Sequence, residues 1–170
     1  MASELLAEHF RMLGRCNHVV NAHLYPFCGG LDDGEYRKDR LGSFRSIHRT
    51  LNHLLVGDRI WMSRFEGTKS PGYRLDEILY HDFDGLWRAR QAEDARIVGF
   101  LETIDGEFLL REITYVSNQG VVLADETPLL LAHFFNHQTH HRAQVQDMLG
   151  QIGKPPNLDL HRAIHPLAAG

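Results

Sequence analysis

The fold is decided by the stretch TPLLLAHFFNHQTHHRAQVQDMLG, which occupies residues 127–150. Thr127-Pro128 is a typical helix start, because a capping hydroxyl precedes a proline at the first helical position. Apolar side chains then recur at steps of three and four, as on one face of a helix: Leu130, Phe134, Val145, Met148 and Ile152. The pattern predicts an amphipathic helix that runs to about Leu149 and ends at the following glycines.

Three more segments, residues 2–24, 43–65 and 85–104, show the same helical period. Ser3 and Ser43 are expected to open the first two, and the apolar stripe of the second is expected to begin at Phe44. Residues 108–126 change to the pattern of two short strands around Asn118-Gln-Gly120. The segments 25–43 and 68–84 are predicted to be long connections. We therefore predict an all-α four-helix bundle with long crossover connections and a small β-hairpin before the last helix.

Composition and charge exclude several classes of protein. The chain has 170 residues, 43% of them apolar, which suits one domain over residues 1–170. A net charge of −4 disfavours a dedicated nucleic-acid partner. No apolar run is long enough to cross a membrane, no secretory signal is visible, and two cysteines cannot form a disulfide framework. We therefore expect a cytoplasmic protein with no membrane or nucleic-acid partner.

Histidine is the unusual residue of this chain. There are twelve, and His133, His137, His140 and His141 fall in one predicted helix. His137 and His141 are four residues apart, so their imidazoles lie side by side and can reach one metal ion. The alternative is that they are ordinary core or solvated histidines, and the pair alone does not decide between the two.

A third ligand would have to come from another helix, and residues 43–65 contain His48 and His53. Periodicity leans slightly toward His48, which is closer to the apolar stripe, whereas His53 lies on its flank. The sequence does not assign a role to His48, His133 or His140.

Two motifs resemble those of a known family. They are Ser46-Ile-His-Arg-Thr-Leu-Asn-His53-Leu-Leu-Val-Gly-Asp58-Arg-Ile-Trp61 and Phe135-Asn-His137-Gln-Thr-His140-His141-Arg-Ala-Gln144. They are similar to the second-helix and fourth-helix motifs of the DinB/YfiT-like superfamily. One departure is Ala143, where the family often has glycine.

The resemblance implies a four-helix bundle, often a homodimer, that binds a divalent metal through one histidine of the second helix and two of the fourth. The matching positions are His53, His137 and His141, and zinc or nickel is the expected ion. Three imidazoles leave a coordination position open for water or substrate. The family includes enzymes that use low-molecular-weight thiols, so a hydrolase or a thiol transferase is implied.

The alternative is a non-catalytic, stress-related protein in which the metal is structural or a small ligand is bound. Catalytic residues other than the metal ligands cannot be named from the sequence. Asn136, Gln144 and Asp58 are candidates for holding the ligand rings, and the alternative for each is a solvated or capping side chain. Arg142 is expected to be a surface or loop-binding cation, and Trp61 is expected in the core.

Overall fold

A computed structural model describes residues 2–154 and residue 156. In chain order its elements are α1 (Ala2–Gly29), α2 (Asp33–Arg37), α3 (Ile47–Phe65), α4 (Phe83–Thr103), α5 (Gly106–Leu109), β1 (Glu112–Val116), β2 (Val122–Glu126) and α6 (Thr127–Gln151). The strands form an antiparallel hairpin in which Tyr115 faces Leu123. The prediction of a mostly helical protein with a small hairpin before its last helix is confirmed. Residue 155 and the tail from residue 157 onward lie outside the described residues.

The ends of α1 differ from the prediction. The helix continues past Leu24 to Gly29 and contains Pro26. Proline removes one backbone hydrogen bond and crowds the carbonyl four residues earlier, so it usually bends or ends a helix, and α1 ends within one turn of Pro26. Ser3 lies inside the helix instead of capping it.

The starts of α3 and α6 also differ. Ser46, rather than Ser43, caps α3, and its side chain accepts a hydrogen bond from the Arg49 N–H. Phe44 therefore belongs to the preceding loop. Glu126 is the N-cap of α6, and the Thr127 hydroxyl instead donates to the Arg111 carbonyl at 2.7 Å, which ties the helix start to the hairpin.

The four long helices share two buried apolar clusters. One contains Leu24, Leu51, Leu86 and Leu149, and the other contains Phe10, Met62, Leu101 and Phe134. Each cluster therefore receives side chains from α1, α3, α4 and α6, and burial of this apolar surface is the main term that holds the helices together. None of the helices in the described part of the chain combines the length and hydropathy that a membrane span requires.

A buried polar network lies between the two apolar clusters along every long helix. Its members are Asn17, Asn21, Asp58, Arg90, Asp94, Gln138 and Arg142. Arg90 pairs with Asp58, and its Nη2 also lies 2.9 Å from Asp94 Oδ1. Gln138 Nε2 donates to Asp58 Oδ1 at 2.8 Å. Because buried charges need partners, the network specifies which turns of the four helices face one another.

Two residues of this network correct the sequence interpretation. Arg142 is only 7% exposed and donates to Asn17, Asn21 and Gln138, so it is not a surface cation. Asp58 contacts Arg90 and Gln138 rather than a histidine ring. Only the packed structure shows that both side chains are buried among the four long helices.

Candidate metal centre

Three histidines from two helices meet at one point. α3 supplies His53, and α6 supplies His137 and His141 from adjacent turns. The rings of His53 and His141 have centroids 4.5 Å apart, those of His137 and His141 also 4.5 Å, and those of His53 and His137 4.9 Å. One ring nitrogen of each lies within 4.8 Å of the other two, and His53 Nε2 is 2.9 Å from His137 Nε2. This cluster could hold a metal ion.

His48 lies elsewhere. Its Nε2 is 3.0 Å from the Tyr80 carbonyl oxygen, and its ring meets the edge of Tyr36 at 5.2 Å between centroids. Five residues separate His48 from His53, which is a rotation of about 140° around the helix. The two therefore cannot face the same neighbour, and the slight preference of periodicity for His48 is wrong.

The other two histidines of α6 lie beside the cluster rather than in it. His140 is exposed, and its Nε2 accepts a hydrogen bond from Gln144 Nε2 at 3.1 Å. His133 is exposed and packs against Trp61 with centroids 5.1 Å apart. Trp61 is half-buried and packs against the apolar cluster that contains Phe134.

Hydrogen bonds orient two of the three rings. His53 Nδ1 lies 2.8 Å from the Leu75 carbonyl oxygen, and because a carbonyl only accepts, His53 carries its proton on Nδ1. His141 Nδ1 lies 2.8 Å from Gln144 Oε1 and donates in the same way. Both rings therefore present an unprotonated Nε2, which is the arrangement seen for metal-bound histidines. Gln144 has the orienting role considered from sequence, whereas Asn136 is exposed.

Burial keeps the cluster neutral. Desolvation lowers the pKa of His53 to about 4. Desolvation is the main cause that lowers the pKa of His137 to about 3, and the neighbouring histidines lower it as well. Desolvation also lowers the pKa of His141. At neutral pH all three imidazoles are therefore uncharged, and each can offer one ring-nitrogen lone pair, so the residues present fit a divalent ion of the borderline-soft kind.

Two further residues shape the site, and both were missed in the sequence. The Phe44 ring stacks on His53 at 3.7 Å between centroids and meets His141 edge-on at 5.4 Å. Its position depends on the loop, where Arg45 adopts a left-handed φ of 64°. Gly57 faces His137, and a Cβ there would lie 2.9 Å from His137 Cε1. A glycine inside a helix is the signal that could have revealed this close approach.

The fold and the site define a class of mostly helical proteins in which one helix contributes one histidine and another helix contributes two. The chain belongs to the DinB family, whose family model matches residues 8–167. Comparison with curated proteins finds no match.

Proposed function

We propose that the protein is a metal-dependent enzyme with a four-helix-bundle fold, in which His53, His137 and His141 bind zinc or nickel. The observation that carries the proposal is the convergence of three neutral imidazoles, two of them with the Nδ1 proton already engaged by an acceptor. The ring nitrogens of the three histidines face one another, so a cation bound between them would receive a lone pair from each ring.

A His₃-bound ion lowers the pKa of a bound water or thiol, and so generates a nucleophile at neutral pH. The chain supports this chemistry by orienting His53 through the Leu75 carbonyl and His141 through Gln144. Phe44 covers one side of the cluster and excludes water from the faces of the rings it touches.

The reaction class we propose is transfer of a low-molecular-weight thiol, or hydrolysis, on a small-molecule substrate. The family supports the thiol, by analogy only. The site adds one consideration, because the residues whose ligand atoms converge in the described part of the chain are all histidines. Because the cluster of described residues holds no carboxylate to act as a general base, a nucleophile that is already fairly acidic, such as a thiol, would be favoured over water at a bound ion. A cytoplasmic homodimer is the form in which we expect it to act.

Metal analysis of the purified wild type beside His53→Ala, His137→Ala and His141→Ala tests the ligand set. We expect about one ion per wild-type chain and loss of most of it in each variant, because two imidazoles hold an ion much less tightly than three. His48→Ala is the matched control from the same helix and should keep its ion. Stoichiometric metal in all three triad variants would refute the ligand assignment.

A second experiment tests the reaction. The zinc or nickel form of the protein is mixed with an electrophile and with glutathione, bacillithiol or mycothiol. The concentration of free thiol is then measured over time. We expect a loss of free thiol with at least one of them, and expect His137→Ala to abolish it. A wild type that binds the ion and turns over none of them supports the non-catalytic alternative, in which the ion mainly joins α3 to α6.

A further inference from the structure

Arg64, near the end of α3, is a half-buried cation that makes no ion pair within the described residues. Its Nη2 donates to the Val116 carbonyl at 3.0 Å, which leaves most of its five N–H donors unused. Every other buried or half-buried arginine among the described residues has anionic or multiple amide partners: Arg11, Arg40, Arg59, Arg90 and Arg96 pair with carboxylates, and Arg142 contacts amide oxygens. Arg64 is the exception.

Two aromatic rings hold the Arg64 guanidinium in place. Its central carbon lies 4.4 Å from the centre of the Trp61 ring and 4.6 Å from that of Tyr115. The nearby carboxylate of Asp125 is engaged by the Tyr115 hydroxyl at 2.9 Å and does not pair with the guanidinium. Desolvation lowers the pKa of Arg64, so its charge is partly stripped of water without a compensating anion. The two ring contacts hold the group in place, and the N–H donors not bonded to Val116 remain for a planar anion.

A cleft of about 540 Å³ opens beside this arginine, between the end of α3, the segment 67–73 and the hairpin. This volume suits a small organic molecule. Hydroxyl groups line it, including those of Ser70 and Ser117. The Ser70 oxygen accepts from the Gly72 N–H, and the Ser117 oxygen accepts from the Val121 N–H. Each hydroxyl proton is therefore left to donate to a bound anion.

We propose that this cleft is a second ligand site, which binds a small organic anion through Arg64 and the hydroxyl-lined wall. The anion is a carboxylate or a phosphate monoester, since both accept two parallel hydrogen bonds from a guanidinium. Arg64 lies three helical turns beyond His53, about 16 Å along α3. The site is therefore distinct from the histidine cluster and does not depend on a metal there.

Calorimetric titration of the full-length protein at low salt tests the site, with benzoate and phenyl phosphate as the two probes. We expect saturable binding of at least one probe with a Kd of about 1 mM or tighter, and the tighter probe identifies the preferred anion. Arg64→Met should weaken that binding at least about tenfold, and Arg64→Lys should weaken it less, because a lysine keeps the charge but not the fork.

Two matched variants make the result specific. Arg88→Met removes the same charge from an exposed position of α4 that makes no ion pair among the described residues, and it should bind as the wild type does. His137→Ala separates the cleft from a metal-bound anion, and binding should survive in it. Circular dichroism confirms that each variant is folded. The proposal is overturned if neither probe saturates the wild type, if Arg64→Met binds like the wild type, or if His137→Ala abolishes binding.

Discussion

Replacing Gly57 by alanine separates metal affinity from fold stability. The added Cβ would lie 2.9 Å from His137 Cε1, whereas ordinary contact begins at 3.4 Å. The ring must therefore retreat by about 0.5 Å, and it can do so because it is the end of a flexible side chain. A retreat of this size moves a ligand nitrogen out of bonding geometry, since metal–nitrogen distances vary by only about 0.2 Å.

The substitution should have opposite effects on the stability of the metal-free protein and on zinc affinity. In the metal-free protein, alanine in a helix interior is favoured over glycine by about 0.5–1 kcal/mol, which offsets the strain of moving the ring. Zinc affinity should fall by about 10-fold or more, so saturating zinc should stabilise the variant by about 1.4 kcal/mol less than it stabilises the wild type. For a chain of this length that is a difference of about 3–5 °C in the zinc-induced rise of Tm.

Gly99→Ala is the matched control, because Gly99 lies inside α4 and a Cβ there meets no atom within 4 Å. It should raise stability slightly and leave zinc affinity unchanged. Zinc affinity is measured by competition with a chromophoric chelator, and Tm by circular dichroism with and without zinc. A Gly57→Ala protein that binds zinc as tightly as Gly99→Ala would refute the proposed role of the glycine.

Three further perturbations test the site and the network. Gln144→Leu should weaken zinc binding about 10-fold because His141 loses its acceptor, while Gln144→Glu should stay near wild type; equal affinities in a chelator competition would contradict this. Asp58→Asn should lower the free energy of urea unfolding by about 3 kcal/mol, since the buried Arg90 guanidinium would lose one of its two carboxylate partners. The exposed Asp33→Asn should have little effect, and similar losses in both would refute the argument. The metal-free protein should lose stability as pH falls from about 6.5 toward 4. In the folded state His53 and His137 have pKa values of about 4 and about 3, so over this range the unfolded chain binds protons at these two residues and the folded chain does not. An unfolding free energy that is flat over this range would rule out the prediction.

Much of the helical pattern follows from the sequence, because helical and strand periods are local properties. Residues three or four apart share a helix face whatever the neighbours are, so the hairpin and the His137–His141 pair could be predicted directly. Helix ends were less predictable. Thr127 and Ser43 both look like caps, yet a cap depends on where the flanking backbone turns, and the structure uses Glu126 and Ser46 instead.

The third member of the triad shows what sequence period alone could not decide. A helix in contact with several neighbours has more than one buried face, so His48 and His53 are both buried, on sides about 140° apart. The family motif indicated His53, and the packing of α3 against α6 brings it to His137 and His141.

The sequence by itself determined the helices, the hairpin, the histidine pair and, through its motifs, the family. Only the tertiary structure placed Phe44 over the cluster, Gly57 against His137, Arg142 inside the network and Arg64 beside a cleft. These are contacts between residues far apart in the chain, and they depend on loop conformations and on helix rotations that no local period specifies.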